Sequence, residues 1–235
     1  MLVSNVVNNP GRQAAVPDWA WGRLGRATAV CPGEQSCGDQ IRCWWDTQHL
    51  LLALADGLGH GIHAYTAAME VMQAVEQRWL DWQQQRRTHP QHLPAIPTWL
   101  TECFAYCDQA ILHTRGVSLA LVWILPEQAQ LLHAAVGNVR TLVQGSQATR
   151  RLGCARGIVG AGYRGLQPEV FALNREDWVV MFSDGLAENS DFATLTRTAV
   201  ASDALALTVL QQQQRQDDDA ALLLYQHTAA LITDG

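Results

Sequence analysis

The apolar run from Leu50 to Ala55 is long enough only for a buried strand, and it stops at Asp56. Asp56 opens the segment Asp56-Gly57-Leu58-Gly59-His60-Gly61, whose closely spaced glycines let the backbone turn tightly and bring a carbonyl, that of Gly57, against a bound ion. Beyond it Ile62, Tyr65, Met69, Met72, Val75 and Trp79 recur every three or four residues, which places them on one face of a long helix. A carboxylate is thereby mounted at the end of a rigid element. A strand, a glycine turn and a helix also form a common connection, so the meaning of this one depends on the rest of the chain.

Upstream, the pattern gives strands at Arg26 to Cys31 and Gln40 to Trp45. Downstream, Arg86 to Pro97 holds three prolines and reads as a connector, followed by a second helix whose apolar stripe is Leu100, Cys103, Cys107, Ala110 and Ile111. Ser118 to Leu125, Gln130 to Val136 and, after Gly137-Asn138, Val139 to Val143 read as consecutive antiparallel strands. Gly145 to Pro168 is rich in glycine and arginine with weak periodicity. Trp178 to Phe182 is another apolar strand, ending at Ser183, Asp184 and Gly185. A third helix falls within Thr194 to Gln214, and Asp217, Asp218 and Asp219 feed a last strand at Ala221 to Tyr225. Strands, paired helices and strands again imply an α+β sandwich. At 235 residues and 48% hydrophobic content, one large domain over 18–235 fits better than two small ones, with 1–17 a loose leader.

Composition removes whole classes of function. All sixteen basic residues are arginine, and without a lysine there is no Schiff-base chemistry, pyridoxal phosphate attachment or Walker-type phosphate loop. Against twenty-two acidic residues they leave a formal charge of -6, which opposes nucleic-acid binding. The six cysteines form no C-x-x-C pair and read as reduced, packed thiols. No signal-peptide pattern and no apolar stretch long enough to span a bilayer is present, so the expected location is cytoplasmic, away from any membrane.

Four aspartates share a position type. Asp39 follows Gly38, Asp56 and Asp184 each end an apolar strand, and Asp218 precedes the last one. If those strands are neighbours, the carboxylates converge, and two bare charges about 4 Å apart repel by roughly 4 kcal/mol at an effective dielectric of 20. A divalent cation resolves the repulsion, and an all-oxygen set favours magnesium, manganese or calcium over zinc. Two such ions can share a water, lower its pKa and clamp the oxygens of a phosphoryl group, so that no side-chain nucleophile is required.

Cys37-Gly38-Asp39, Asp56 to Gly61, Gly137-Asn138, Ser183-Asp184-Gly185 and Asp218-Asp219 occur in that order. In this the chain resembles the SpoIIE-like branch of the metal-dependent protein phosphatases (PPM family), and within it the compact RsbX type, over Gly25 to Tyr225. The resemblance implies a four-layer α/β/β/α sandwich of two mainly antiparallel sheets flanked by helices, with two Mn2+ or Mg2+ ions between the sheets. It implies that Asp56 bridges both ions, Gly57 offers its carbonyl, Asp39 ligates directly or through water, and Asp184 and Asp218 hold the other ion. Asp219 is the less suited of its pair, but the aspartate triplet leaves the register open by one residue. Catalysis would then rest on Asp39, Asp56, Asp184 and Asp218 through the metal-bound water. The substrate implied is phosphoserine or phosphothreonine on a small regulatory protein, a phosphorylated STAS-domain protein of a partner-switching or stressosome pathway. A phosphatase fold that binds its partner without turnover and a small-molecule phosphoesterase are the alternatives.

The chain departs from the family at Ala221, where many relatives carry Thr, at Val136, where Ala is common, and in offering only Arg26 as an N-terminal phosphate-binding arginine. His60 is a candidate to meet substrate phosphate or to cap backbone groups. Arg150, Arg151, Arg156 and Arg164 fall where relatives carry a variable flap. Arg150 and Arg151 in particular are expected to dock an acidic phosphoprotein surface.

Overall fold

The computed structural model describes residues 21–187, 192, 194 and 199–229. The leader expected over 1–17 lies outside them, as does part of the segment from Thr194 to Gln214. The elements run β1 (Gly22–Ala29), β2 (Asp39–Trp45), β3 (Leu50–Gly57), α1 (Ile62–Thr88), α2 (Ile96–Ala110), β4 (Val117–Leu125), β5 (Gln130–Val136) and β6 (Arg140–Gln144). They continue with β7 (Thr149–Arg151), β8 (Arg156–Ile158), β9 (Gly162–Arg164), β10 (Glu169–Ala172), β11 (Trp178–Phe182), α3 (Asp203–Gln213) and β12 (Ala220–His227).

Two five-stranded sheets form, in the orders β1-β12-β11-β6-β7 and β10-β5-β4-β3-β2, with β8-β9 a separate hairpin. Among the described residues every pair of these strands is antiparallel. The period-2 alternation of strand side chains divides the core into three layers of packing. In β3, Leu51, Ala53 and Ala55 join α1 and α2, whereas Leu50, Leu52 and Leu54 meet the opposite sheet. In β12, Leu223 and Tyr225 face that same intersheet layer, whereas Leu222 and Leu224 pack with Ala206, Val209 and Leu210 of α3. The order of layers is therefore helices, sheet, sheet, helix, the α/β/β/α sandwich. Strands covered on both faces carry apolar residues on both, which is why Leu50–Ala55 of β3, Leu119–Leu125 of β4 and all of β11 read as unbroken apolar runs. Among the described residues no helix is long and apolar enough to cross a membrane.

Three expectations change. The buried face of α1 begins with Ala64, Ala67 and Ala68, whereas Ile62 is exposed. The reason is close approach: a Cβ on Gly57 would lie 2.2 Å from the Ala64 carbonyl oxygen, so the helix enters with small residues and only later presents Met72, Val75 and Trp79. The helix also runs on to Thr88, because Arg86 is held at 2.7 Å by Asp46 and stacks on Trp82. Pro97 sits inside the first turn of α2, where a missing N–H costs nothing. Finally, β4 and β5 pair as expected, but β6 leaves for the other sheet. The crossing is Gly137-Asn138: Gly137 has φ 96°, and a Cβ there would meet Ser118 Oγ at 2.3 Å. The neighbour of β5 is instead β10, a short and largely exposed strand without an apolar pattern.

Candidate metal centre

The antiparallel register of β2 and β3 sets Asp39 directly opposite Asp56 at one end of their sheet. In the other sheet β11 pairs with β12 through Phe182 and Leu222, so the residues just beyond, Ser183 and Asp184, lie beside Asp218 and Asp219, which lead into β12. The two sheet ends face each other and the carboxylates meet. Burial, then the charges of Asp184, Asp218 and Asp219, push Asp56 up to about 8, and Asp56 hydrogen-bonds Asp184. Burial first and Asp56 second raise Asp39 well above the ordinary carboxylate range, against a hydrogen bond from Ser183. Burial and then Asp184 raise Asp218 as well.

Asp56, Asp184 and Asp218 line a cavity of about 510 Å³ together with Ser118, Asn138 and Arg156. Asp39, whose carboxylate acts on that of Asp56, does not line it: it is 3% exposed, and its Oδ2 is buried without a hydrogen-bond partner. A buried acceptor of this kind is costly unless something positive meets it. Asp184 is held from behind: Asn138 Nδ2 donates to Asp184 Oδ2 at 2.6 Å, and Ser118 Oγ donates to Asn138 Oδ1. Ser183 Oγ accepts from the Ala221 backbone N–H at 2.9 Å, which fixes the hydroxyl that serves Asp39.

Asp219 is used differently. Its Oδ1 accepts from the Cys31 N–H and its Oδ2 from the Gly38 N–H, both at 2.8 Å, so that the carboxylate closes the loop between β1 and β2. Asp218 faces the cavity, with Oδ1 taking the Asp219 N–H at 2.9 Å. Among the described residues no group of three Asp, Glu, His or Cys side chains already stands in ligating geometry. The carboxylates are nevertheless an all-oxygen donor set around an orphaned buried oxygen, and that combination fits a hard divalent cation.

The other candidate residues lie apart from this cluster. His60 is exposed and pairs with Glu34 at 2.7 Å, outside the lining of the cavity. Arg150 packs over the Phe171 ring at 5.3 Å, and Arg151 sits on the exposed edge strand β7; neither lines the cavity. Arg26 is corrected as a phosphate binder. Its guanidinium hydrogen-bonds the buried Cys43, and its backbone N–H donates to Asp203 at 2.8 Å. Cys43 is four residues along β2 from Asp39, about 13 Å at strand rise. Ser118 and the Ser183 hydroxyl were not foreseen. The signal for Ser118 is its register opposite Asp56, which no local pattern reveals.

Phosphoserine phosphatase RsbX of Bacillus subtilis (strain 168) is 28% identical over 111 residues, 47% of this chain and 47% of that protein, so the match spans about half the length of this curated relative. A chain solved in work on the bacterial stressosome, as a modular system adapted to control secondary messenger signalling, superposes with a TM-score of 0.74 at 24% identity, covering 87% of this chain and 98% of that one. RsbX crystallised in complex with magnesium matches with a TM-score of 0.72 at 19% identity, covering 91% and 99%. The model of the family Stage II sporulation protein E (SpoIIE) matches residues 46–228, well over half of the sequence, and the chain belongs to that family.

Proposed function

We propose that the protein is a Mn2+- or Mg2+-dependent serine/threonine phosphatase whose single catalytic domain spans 18–235. The observation that carries this reading is the gathering of Asp39, Asp56, Asp184 and Asp218 from two sheets around a buried carboxylate oxygen with no donor. In this reading those four side chains and the Gly57 carbonyl hold two ions. When bound, such ions supply an activated water and neutralise the phosphoryl oxygens. The chain's own part is to position: Asn138 and Ser118 fix the rotamer of Asp184, Ser183 fixes Asp39, and the backbone-bound Asp219 holds its neighbour Asp218 at the cavity.

The substrate we propose is a small regulatory phosphoprotein, a phosphorylated STAS-domain protein of a partner-switching or stressosome pathway. The likeness to phosphoserine phosphatase RsbX and to a chain from stressosome work supports it. All six cysteines are free thiols, which fits a cytoplasmic enzyme. Asp56→Asn is expected to abolish Mn2+-dependent hydrolysis of p-nitrophenyl phosphate and of a phosphorylated STAS protein while circular dichroism stays unchanged. Full activity in that variant, or wild-type turnover that ignores chelation, overturns the reading. Hydrolysis of p-nitrophenyl phosphate without any action on phosphoproteins points instead to a small-molecule phosphoesterase.

A further inference from the structure

Arg156 carries the only positive charge among the described residues that line the acidic cavity. It opens β8, and its cross-strand partner in β9 is another arginine, Arg164. Residues directly opposite in an antiparallel pair stand about 5 Å apart at Cβ, and like charges there are destabilising. Among the described residues neither guanidinium has an ion-pair, hydrogen-bond or ring partner, although Asp184 and Asp218 line the same cavity as Arg156 and the chain is acidic overall.

The hairpin that presents this pair is tied down on both sides. Ala155, the residue before Arg156, donates to the Ala135 carbonyl at 2.8 Å and accepts from the Gly137 N–H at 3.0 Å. Val159 exchanges two backbone hydrogen bonds of 2.9 Å with Val117, and Gly160 N–H donates to Asp108 Oδ1 at 2.7 Å. Arg156 is thus held without a partner, and at some electrostatic cost opposite Arg164, in the wall of a cavity that carboxylates also line. Carboxylates that collect cations and a guanidinium that offers a planar fork of N–H donors together suit one class of ligand, a phosphoryl group bridging the two.

We propose that Arg156 binds the phosphoryl oxygens of the substrate, with Arg164 beside it raising the local positive potential. This rests on the phosphatase reading and assigns the phosphate-recognition role to the β8-β9 hairpin, since Arg26 of β1 is engaged with Cys43 and Asp203. The test compares Arg156→Ala, Arg156→Lys and Arg164→Ala with wild type and with Arg87→Ala, an exposed arginine on α1. Two readouts are taken on the Mn2+-loaded proteins: KM and kcat for p-nitrophenyl phosphate, and calorimetric titration with inorganic phosphate. Arg156→Ala is expected to raise KM and the phosphate dissociation constant by about tenfold or more, the loss of charge-assisted hydrogen bonds. Arg156→Lys recovers only part of it, because a point charge replaces the fork. Arg164→Ala gives a smaller rise that fades at high salt, as expected for an effect through potential. Wild-type values of both constants in Arg156→Ala, or an equal effect in Arg87→Ala, overturn the proposal. A wild type that binds phosphate through Arg156 but turns over no phosphoester sinks the phosphatase reading and leaves the arginine assignment standing.

Discussion

Two neighbouring aspartates with the same chemistry are separated here by what their oxygens touch. Asp219 gives both oxygens to backbone N–H groups of Cys31 and Gly38, at 2.8 Å each, and is 2% exposed. Removing such a carboxylate leaves two donors without partners, each worth about 1.5 to 3 kcal/mol when bonded to a charge. Asp219→Ala is therefore expected to lose about 3 kcal/mol or more of stability in a denaturant melt. Asp218→Ala, which takes away a cavity-facing charge repelled by Asp184, should melt close to wild type and lose metal binding by calorimetry. The reverse pattern would exchange the two roles. The aspartate triplet is legible in the sequence as a site, but not the choice within it. That choice is made by donors 188 and 181 positions away. Ser118 is hidden for the same reason, since its partners Asn138 and Asp56 become neighbours only through strand register and the crossing at Gly137.

At the level of elements, the unit β3, glycine turn and α1 is the part of the fold most fully written in local sequence, and also the part most sensitive to volume. A Cβ on Gly57 would fall 2.2 Å from the Ala64 carbonyl oxygen, a backbone atom that cannot swing aside. Gly57→Ala leaves the Gly57 carbonyl in place chemically but forces α1 away from β3, as overpacking does at a cost of typically 1–3 kcal/mol. The expected result is a lower melting temperature together with weaker Mn2+ binding, because Asp56 moves with its strand. A variant that melts normally and binds Mn2+ normally would show that the helix has room to yield. Strands buried on both faces were legible because their residues are wholly apolar, as in β11, or nearly so, as in β5 with His133 alone among its buried positions being polar. The strands without a local signature are β7, β8 and β9, mostly exposed and rich in arginine and glycine, and the four-residue β10, whose existence depends on the partners that reach them. The same limit applies to the end of α1, where Arg86 stays helical because Asp46 and Trp82, distant in sequence or on another turn, hold it.

For the molecule as a whole, the sandwich places its least favourable electrostatics where its two sheets open. A carboxylate whose folded pKa is raised costs stability above its unfolded value, about 3.9, and the cost disappears as pH falls below that value. At neutral pH Asp39 and Asp56 therefore weigh against folding, with Asp56 pushed up to about 8. With Asp56 at about 8 the folded chain keeps it largely protonated at neutral pH, and Asp56→Asn removes the cost of that protonation while keeping the shape, so in chelator this variant should melt at a higher temperature than wild type. Cations that bind only the folded chain act in the opposite sense on the wild type: at a hundred times the dissociation constant a single site adds about 2.7 kcal/mol. Wild type is thus expected to gain several degrees in Mn2+ relative to chelator, whereas Asp56→Asn starts higher and gains little. Calorimetric melts of both proteins under both conditions give the four temperatures required. If Asp56→Asn melts lower than wild type in chelator, Asp56 is holding the fold together rather than straining it. If both proteins gain equally from Mn2+, the ion binds somewhere other than among these strand ends.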